Sequence, residues 1–321
     1  ERLERWHAEI GGSFVMRMGP KKVFVCADPD LLQTVLRERP ERYRRMRQVE
    51  ACLAEMQGNG VFSVEGDAWL PQRKLVMSAL NATHFRGFFP VLQSITARLH
   101  RRWHAAAARG DTVDMTDDLV RFTVDVTTAL AFGEDPNTLD SEGDVIQRHL
   151  AQVFPMLMQR INAPLPYWRY IKLPRDRAFD RAIAAIDRHI DGLIDRARKR
   201  MRDEPAPAPR NLLEALLAAR DEPGSGLGDG EVKANVLTLL LAGEDTTAHT
   251  LAWTVFFLAQ KPEWQQQLHN AAQAVLGDAP VCPDHERLRQ LDLLEAAANE
   301  ATRLKPIVPL FFLEPNVDVV L

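Results

Sequence analysis

Leu241-Ala242-Gly243-Glu244-Asp245-Thr246-Thr247-Ala248 sets small and polar residues into the middle of an apolar run, Val236–Ala259. The run belongs to a helix predicted from Glu231 to Gln260, with Pro262 opening the next one. At about 1.5 Å per residue such a helix covers roughly 45 Å, the width of a whole domain. Glu244, Asp245 and His249 are expensive in lipid, so the run reads as a buried core helix and not as a membrane span. Gly243 weakens the helix by about 1 kcal/mol relative to alanine. Thr246 can turn its hydroxyl onto the carbonyl of Ala242, four residues earlier. Small side chains, a loosened carbonyl, an alcohol and an acid on one stretch suit a diatomic molecule awaiting protons. The plainer alternative is an Asp-Thr pair that only kinks a core helix.

Outward from this helix the pattern stays helical. On its C-terminal side an amphipathic helix is predicted over Asp292–Leu304, ending before Pro306, with weak strands at Leu310–Leu313 and Val317–Leu321. On its N-terminal side two flexible connectors, Asp203–Arg210 and Glu222–Gly230, flank the approach. Before them, Ile183, Ile186, Ile190, Leu193, Ile194 and Ala197 form the apolar face of a surface helix. Another helix opens at Thr116 and closes at Gly133. Asp28 and Pro29 cap and start an earlier one. Residues 13–26 read as a β-hairpin, Ser13–Met18 and Lys21–Cys26 around Gly19-Pro20. The fold class is mainly α with a small β part, in one domain over 1–321.

The 321 residues carry a formal net charge of −4, which calls for neither nucleic acid nor an anionic membrane. Arg42, Arg44, Arg45 and Arg47 read as a solvated face in this acidic chain. Cys26, Cys52 and Cys282 form no disulfide framework and no Cys-x-x-Cys metal pair, so no metal site is expected from cysteine spacing and a reducing compartment is favoured. Phe154, Met156 and Met158 read as plain core, with a substrate cavity as the alternative. The chain begins at Glu1 and not at Met, and its last residues read as an unfinished strand, which suggests a fragment cut at both ends.

Two further pairs matter by their order. Trp69 and Arg73 lie four residues apart, on one helical face, and Glu300 and Arg303 lie three apart on another. Taken alone, the first is a core Trp beside a solvated Arg and the second an ordinary surface pair. Together with Ala242-Gly243-x-Asp245-Thr246-Thr247 they resemble the cytochrome P450 family, whose members carry Trp-x-x-x-Arg, the oxygen-binding helix and Glu-x-x-Arg in this sequence. Phe132-Gly133-Glu134-Asp135 and Lys261-Pro262-Glu263 extend the likeness along essentially the whole chain.

The resemblance implies a cytochrome P450-like fold, incomplete at both termini, and a haem-dependent monooxygenase that oxidises an apolar organic substrate. Asp245 and Thr246 would relay protons to dioxygen, with Ala242 and Gly243 making room for it. Trp69 and Arg73 would hold a propionate of haem b, and Glu300 and Arg303 would be structural. Leu239, Val308 and Leu310 would line the substrate, under a lid formed by the loop before Trp69. Electrons would come from NAD(P)H through a ferredoxin, a flavodoxin or a flavoprotein reductase. A cytoplasmic location is expected, with an N-terminal anchor left open.

The sequence departs from the family at two places. No Phe-x-x-Gly-x-x-x-Cys-x-Gly loop follows the Glu-x-x-Arg helix, so the haem-ligand region is absent and this stretch by itself is expected to be inactive. Leu313 stands near where many relatives carry an arginine for a propionate. A non-enzymatic helical binding module is the alternative function.

Overall fold

The computed structural model describes the chain apart from residues 1, 19–20, 57, 81, 142–144, 224–227 and 320–321, and apart from a few side chains, that of Glu244 included. The predicted turn at Gly19-Pro20, the centre of the glycine-rich connector and the last two residues of the final predicted strand therefore lie outside the described residues.

The chain opens with α1 (Arg2–Ile10), the hairpin β1 (Ser13–Met18) and β2 (Lys21–Cys26), α2 (Pro29–Arg37), β3 (Tyr43–Arg45) and α3 (Arg47–Ala54). Then come α4 (Trp69–Ala79), α5 (Ala82–Arg109), α6 (Met115–Phe132), α7 (Val145–Leu150), α8 (Val153–Asn162) and α9 (Pro174–Asp203). The C-terminal third holds α10 (Leu212–Asp221), α11 (Asp229–Ala259), α12 (Pro262–Leu276), α13 (His285–Leu288), α14 (Asp292–Leu304) and β4 (Leu313–Pro315). The class is mainly α with small sheets, and β1 and β2 pair antiparallel with Ser13 opposite Cys26.

Helix ends follow capping chemistry. The Asp28 carboxylate accepts from Leu31 N–H at 2.9 Å, with Pro29 as the first residue of α2. In α6 the cap is Asp114, which accepts from Asp117 N–H at 3.0 Å, so the helix starts before the expected Thr116. Gly133 closes α6 at φ 69°, the left-handed conformation that glycine adopts without strain. At the head of α11 the Glu231 carboxylate accepts from Gly228 N–H at 2.9 Å. Asp229 there pairs with Arg198 of α9 and Arg220 of α10.

Two sequence expectations need correction. Among the described residues the last strand is Leu313–Pro315, in place of Leu310–Leu313 and with residues 317–319 outside any strand, because β3 selects it: Tyr43 faces Pro315, Arg44 faces Glu314 and Arg45 faces Leu313. The arginine cluster is a solvated face only in part: Arg42 and Arg47 are exposed, while Arg44 and Arg45 are half-buried. Arg44 pairs with Glu50 and Glu314, Arg47 with Glu314 at 3.1 Å, and Arg42 with Glu38. Arg45 stacks over the Phe62 ring at 4.7 Å and sits beside Glu65. Acids both near and distant in sequence pair with these cations, and burial pushes the Arg45 guanidinium below its ordinary value.

Two apolar clusters surround α11. The larger joins Leu53, Leu75, Phe132, Leu157, Trp168, Phe179, Ile190, Leu216 and Val236, and the smaller joins Ile95, Leu99, Leu119, Leu139 and Ala248. Met156 is buried in the larger cluster, as expected of core, while Met158 is exposed. Helix α11 thereby packs against α6, α9, α10, α12 and α14. Among the described residues no helix is long and apolar enough to cross a membrane.

Candidate functional site

The polar stretch of α11 remains helical throughout. Thr246 Oγ1 donates to the carbonyl of Ala242 at 2.8 Å, the back-bond that the four-residue spacing allows. Thr250 and Thr254 repeat the bond onto the carbonyls of Thr246 and Thr250, each at 2.8 Å. His249 Nδ1 lies 2.7 Å from the Asp245 carbonyl. A carbonyl only accepts, so Nδ1 carries a proton and donates.

Asn235, Leu239, Ala242 and Thr246 are spaced i, i+4, i+7 and i+11, which places them on one stripe of α11. Ala242 is exposed on this stripe and Thr246 and Asp245 are half-buried. Gly243 lies off it, against α6. A side chain there would overlap Cγ2 and Oγ1 of Thr127, and the Thr127 Cβ is 3.0 Å from where a Cβ on Gly243 would lie. The missing side chain at Gly243 is thus accounted for by close helix approach.

Trp69 and Arg73 start α4 on one face, with the guanidinium 5.9 Å from the indole ring centroid. Trp69 is half-buried and Arg73 exposed. Among the described residues no carboxylate pairs with Arg73 and no acceptor takes Trp69 Nε1–H, so two donors on this face are unused.

One residue earlier on α4's turn, Gln72 is tied to α11. Asn235 Nδ2 donates to Gln72 Oε1 at 2.9 Å and to the Glu231 carbonyl at 2.8 Å, while Asn235 Oδ1 accepts from Val61 N–H at 2.9 Å. Gly60 rides directly on α11, where a side chain would overlap Thr238 Oγ1 and come within 2.5 Å of the Ala234 carbonyl. The loop before Trp69 is anchored on α11 at Gly60 and Val61. Asn235, Gln72, Gly60 and Thr127 were not singled out in the sequence. A lone amide in the apolar run before Val236 was the available signal for Asn235. For the other three the partner lies on a distant segment.

At α14, Arg303 Nε and Nη2 donate to the two Glu300 oxygens, each at 2.7 Å. The pair is exposed, and the hydrogen bonds from Arg303 hold the Glu300 carboxyl below its ordinary value. Lys305, just past α14, stacks on Trp253 of α11 at 5.6 Å and so docks this end onto the central helix. Leu239 is half-buried and packs against the larger cluster, while Val308 and Leu310 are exposed on the segment leading to β4 beside exposed Phe311.

For haem, the cofactor implied by the resemblance, the donor set fits on one side. Arg73 and Trp69 offer unused donors to a carboxylate, and Ala242 leaves the α11 stripe open. The cysteines do not complete the set. Cys52 is buried in the core and burial pushes its thiol up, away from thiolate. Cys26 and Cys282 turn their S–H groups to carbonyls two residues on, Asp28 and Asp284.

The sequence pattern of the family described as "Cytochrome P450" matches residues 1–320. Cytochrome P450 CYP94D108 of Paris polyphylla is 29% identical over 300 residues, 89% of this chain and 58% of that protein. Protein LUTEIN DEFICIENT 5, chloroplastic, of Arabidopsis thaliana is 25% identical over 315 residues, 93% of this chain and 51% of that protein. Cytochrome P450 4X1 of Homo sapiens is 24% identical over 320 residues, 96% of this chain and 62% of that protein. The chain thus spans 51–62% of the length of these curated relatives. A family pattern followed from residue 1 to residue 320 makes the assignment: the chain belongs to the cytochrome P450 family.

Proposed function

We propose that this chain supplies the oxygen-handling side of a haem-dependent monooxygenase site acting on an apolar organic substrate. The observation that carries the reading is the Thr246 hydroxyl, back-bonded to Ala242 beside Asp245 on an open stripe of α11. When bound, haem supplies the redox centre at which dioxygen is reduced and one oxygen atom is passed to the substrate.

The chain's own residues bind, make room and manage protons. Arg73 presents a planar fork of donors to a propionate, with Trp69 Nε1–H beside it. Ala242 keeps the stripe open for a diatomic molecule. The Thr246 proton is committed to the Ala242 carbonyl, so toward the open side the hydroxyl oxygen acts as an acceptor. It passes a proton onward only by releasing that carbonyl, and Asp245, one residue earlier, is the acid that refills it. A positioned donor of this kind accelerates proton transfer by roughly 10²–10⁴-fold. The exposed apolar side chains of Val308, Leu310 and Phe311 support an apolar substrate. Family membership supports electron delivery from NAD(P)H through a ferredoxin, a flavodoxin or a flavoprotein reductase.

The test is reduced carbon-monoxide difference spectroscopy on the product of the whole reading frame that encodes this chain. The red-shifted band of a thiolate-ligated haem is expected, and a folded, haem-loaded product without it overturns the reading. In the same protein, Thr246→Ala is expected to uncouple turnover, releasing about tenfold more peroxide per electron pair consumed, while Thr246→Ser stays coupled. Unchanged coupling in Thr246→Ala removes Thr246 from proton delivery.

A further inference from the structure

We infer that Asn235 is the positioning residue that holds the Trp69–Arg73 carboxylate cradle in register with the Ala242–Thr246 stretch of α11. The inference rests on the reading of Trp69 and Arg73 as carboxylate donors and adds the device that places them.

Asn235 is 1% exposed, and its amide makes three hydrogen bonds, one within α11 and one each to the loop at Val61 and to α4. The amide's orientation follows from its partners. Val61 N–H can only donate, so Oδ1 faces it; the Glu231 carbonyl can only accept, so Nδ2 faces that side. The second Nδ2 hydrogen then has one direction left, toward Gln72 Oε1, itself on a side chain only 4% exposed. Gln72 in turn reaches back with Nε2 to the Asn59 carbonyl at 3.4 Å, closing a ring through residues 59, 61, 72 and 235. Gly60, in the middle of that ring, has no side chain to lift the loop off α11.

The ring sits where it can set a distance. Asn235 lies on the same stripe as Ala242 and Thr246, eleven residues before Thr246, or about 16 Å along the axis at the helical rise. Gln72 is the immediate neighbour of Arg73, and Trp69 is one turn back on the same helix. A slip of Gln72 relative to Asn235 therefore moves both donors along the stripe. A buried amide network of this kind is satisfied in one arrangement only, because any slip leaves donors and acceptors unpaired. An apolar contact at the same place would tolerate sliding.

The test compares the affinity of the full-length apoprotein for ferric haem and for haem dimethyl ester, in which no propionate carboxylate is left. The wild type is expected to prefer free-acid haem by about tenfold or more, as charge-assisted hydrogen bonds warrant. Arg73→Ala reports on the cradle: it should reduce the preference several-fold, because the second propionate keeps its own partners, and an undiminished preference overturns the cradle reading and the positioning role together. Asn235→Ala reports on the positioning role: it should reduce the preference several-fold in the Arg73 background and change nothing further in Arg73→Ala. If Asn235→Ala weakens both haems equally, or leaves the preference intact while Arg73→Ala reduces it, the positioning role is wrong and the cradle stands. Gln72→Leu provides the same reading if Asn235→Ala does not fold. It attacks the ring from α4 and should reduce the preference in the same way; an unchanged preference there also overturns the inference.

Discussion

A single missing methyl governs the approach of α6 to α11. Gly243 meets Thr127 so closely that any Cβ would overlap both branches of the threonine side chain. Gly243→Ala should therefore destabilise the fold by about 1–3 kcal/mol through overpacking, even though alanine is the better helix former. Thr127→Ala in the same chain should recover most of the loss, and chemical denaturation of the two single variants and the double variant checks the coupling. Equal losses in the single and double variants would separate Gly243 from Thr127. Thr246 is a different kind of residue. Its back-bond adds little to the helix, and its value lies in the orientation of one hydroxyl, which is why its test is coupling and not stability.

Among the helices, α11 is fastened at its head by charge and along its length by packing. Asp229 takes hydrogen bonds from Arg220 of α10 and Arg198 of α9, and the bond from Arg220 is the main reason its carboxyl sits below the ordinary range. A depressed carboxyl value contributes stability above the unfolded value, and the contribution fades as pH falls through the folded one. Asp229→Asn should accordingly lower the melting temperature near neutral pH, with the gap from wild type closing as pH drops below about 4, the ordinary carboxylate value. The gap should also shrink in salt, because Asp229 itself is solvent-exposed. A gap that persists at low pH would mean that Asp229 acts through something other than its charge. The Glu300–Arg303 pair contrasts with it: both members lie on the same helix and face solvent, so it fastens nothing across elements.

Over the whole molecule, burial sorts groups of one chemical type into different roles, and the three cysteines show it. Cys52 is 3% exposed with its thiol pushed up by burial, whereas Cys26 and Cys282 lie half-exposed at the end of β2 and in the loop before α13. A thiol reagent should modify two cysteines of the folded chain promptly and the third only on unfolding, with mass mapping placing the slow one at Cys52. Prompt modification of Cys52 would show that the cluster around α3 opens. The same sorting explains what was legible beforehand. The hairpin, α14, the Asp28 and Gly133 signals and the extent of α11 within a residue or two follow from periodicity, caps and turn residues, which act over a few positions along the chain. The Ala242–Thr246 bond is equally local, because a helix fixes the four-residue spacing. The pairing of β3 with β4, the ion pairs of Arg45 with Glu65 and Arg47 with Glu314, the seat of Gly243 on Thr127 and the ring through Asn235 are contacts between segments tens to hundreds of residues apart. No periodicity encodes them. They exist only when the packed helices bring a glycine to a threonine or an amide to a backbone N–H, so the family was legible in the sequence, while these contacts between distant segments were decided by tertiary packing.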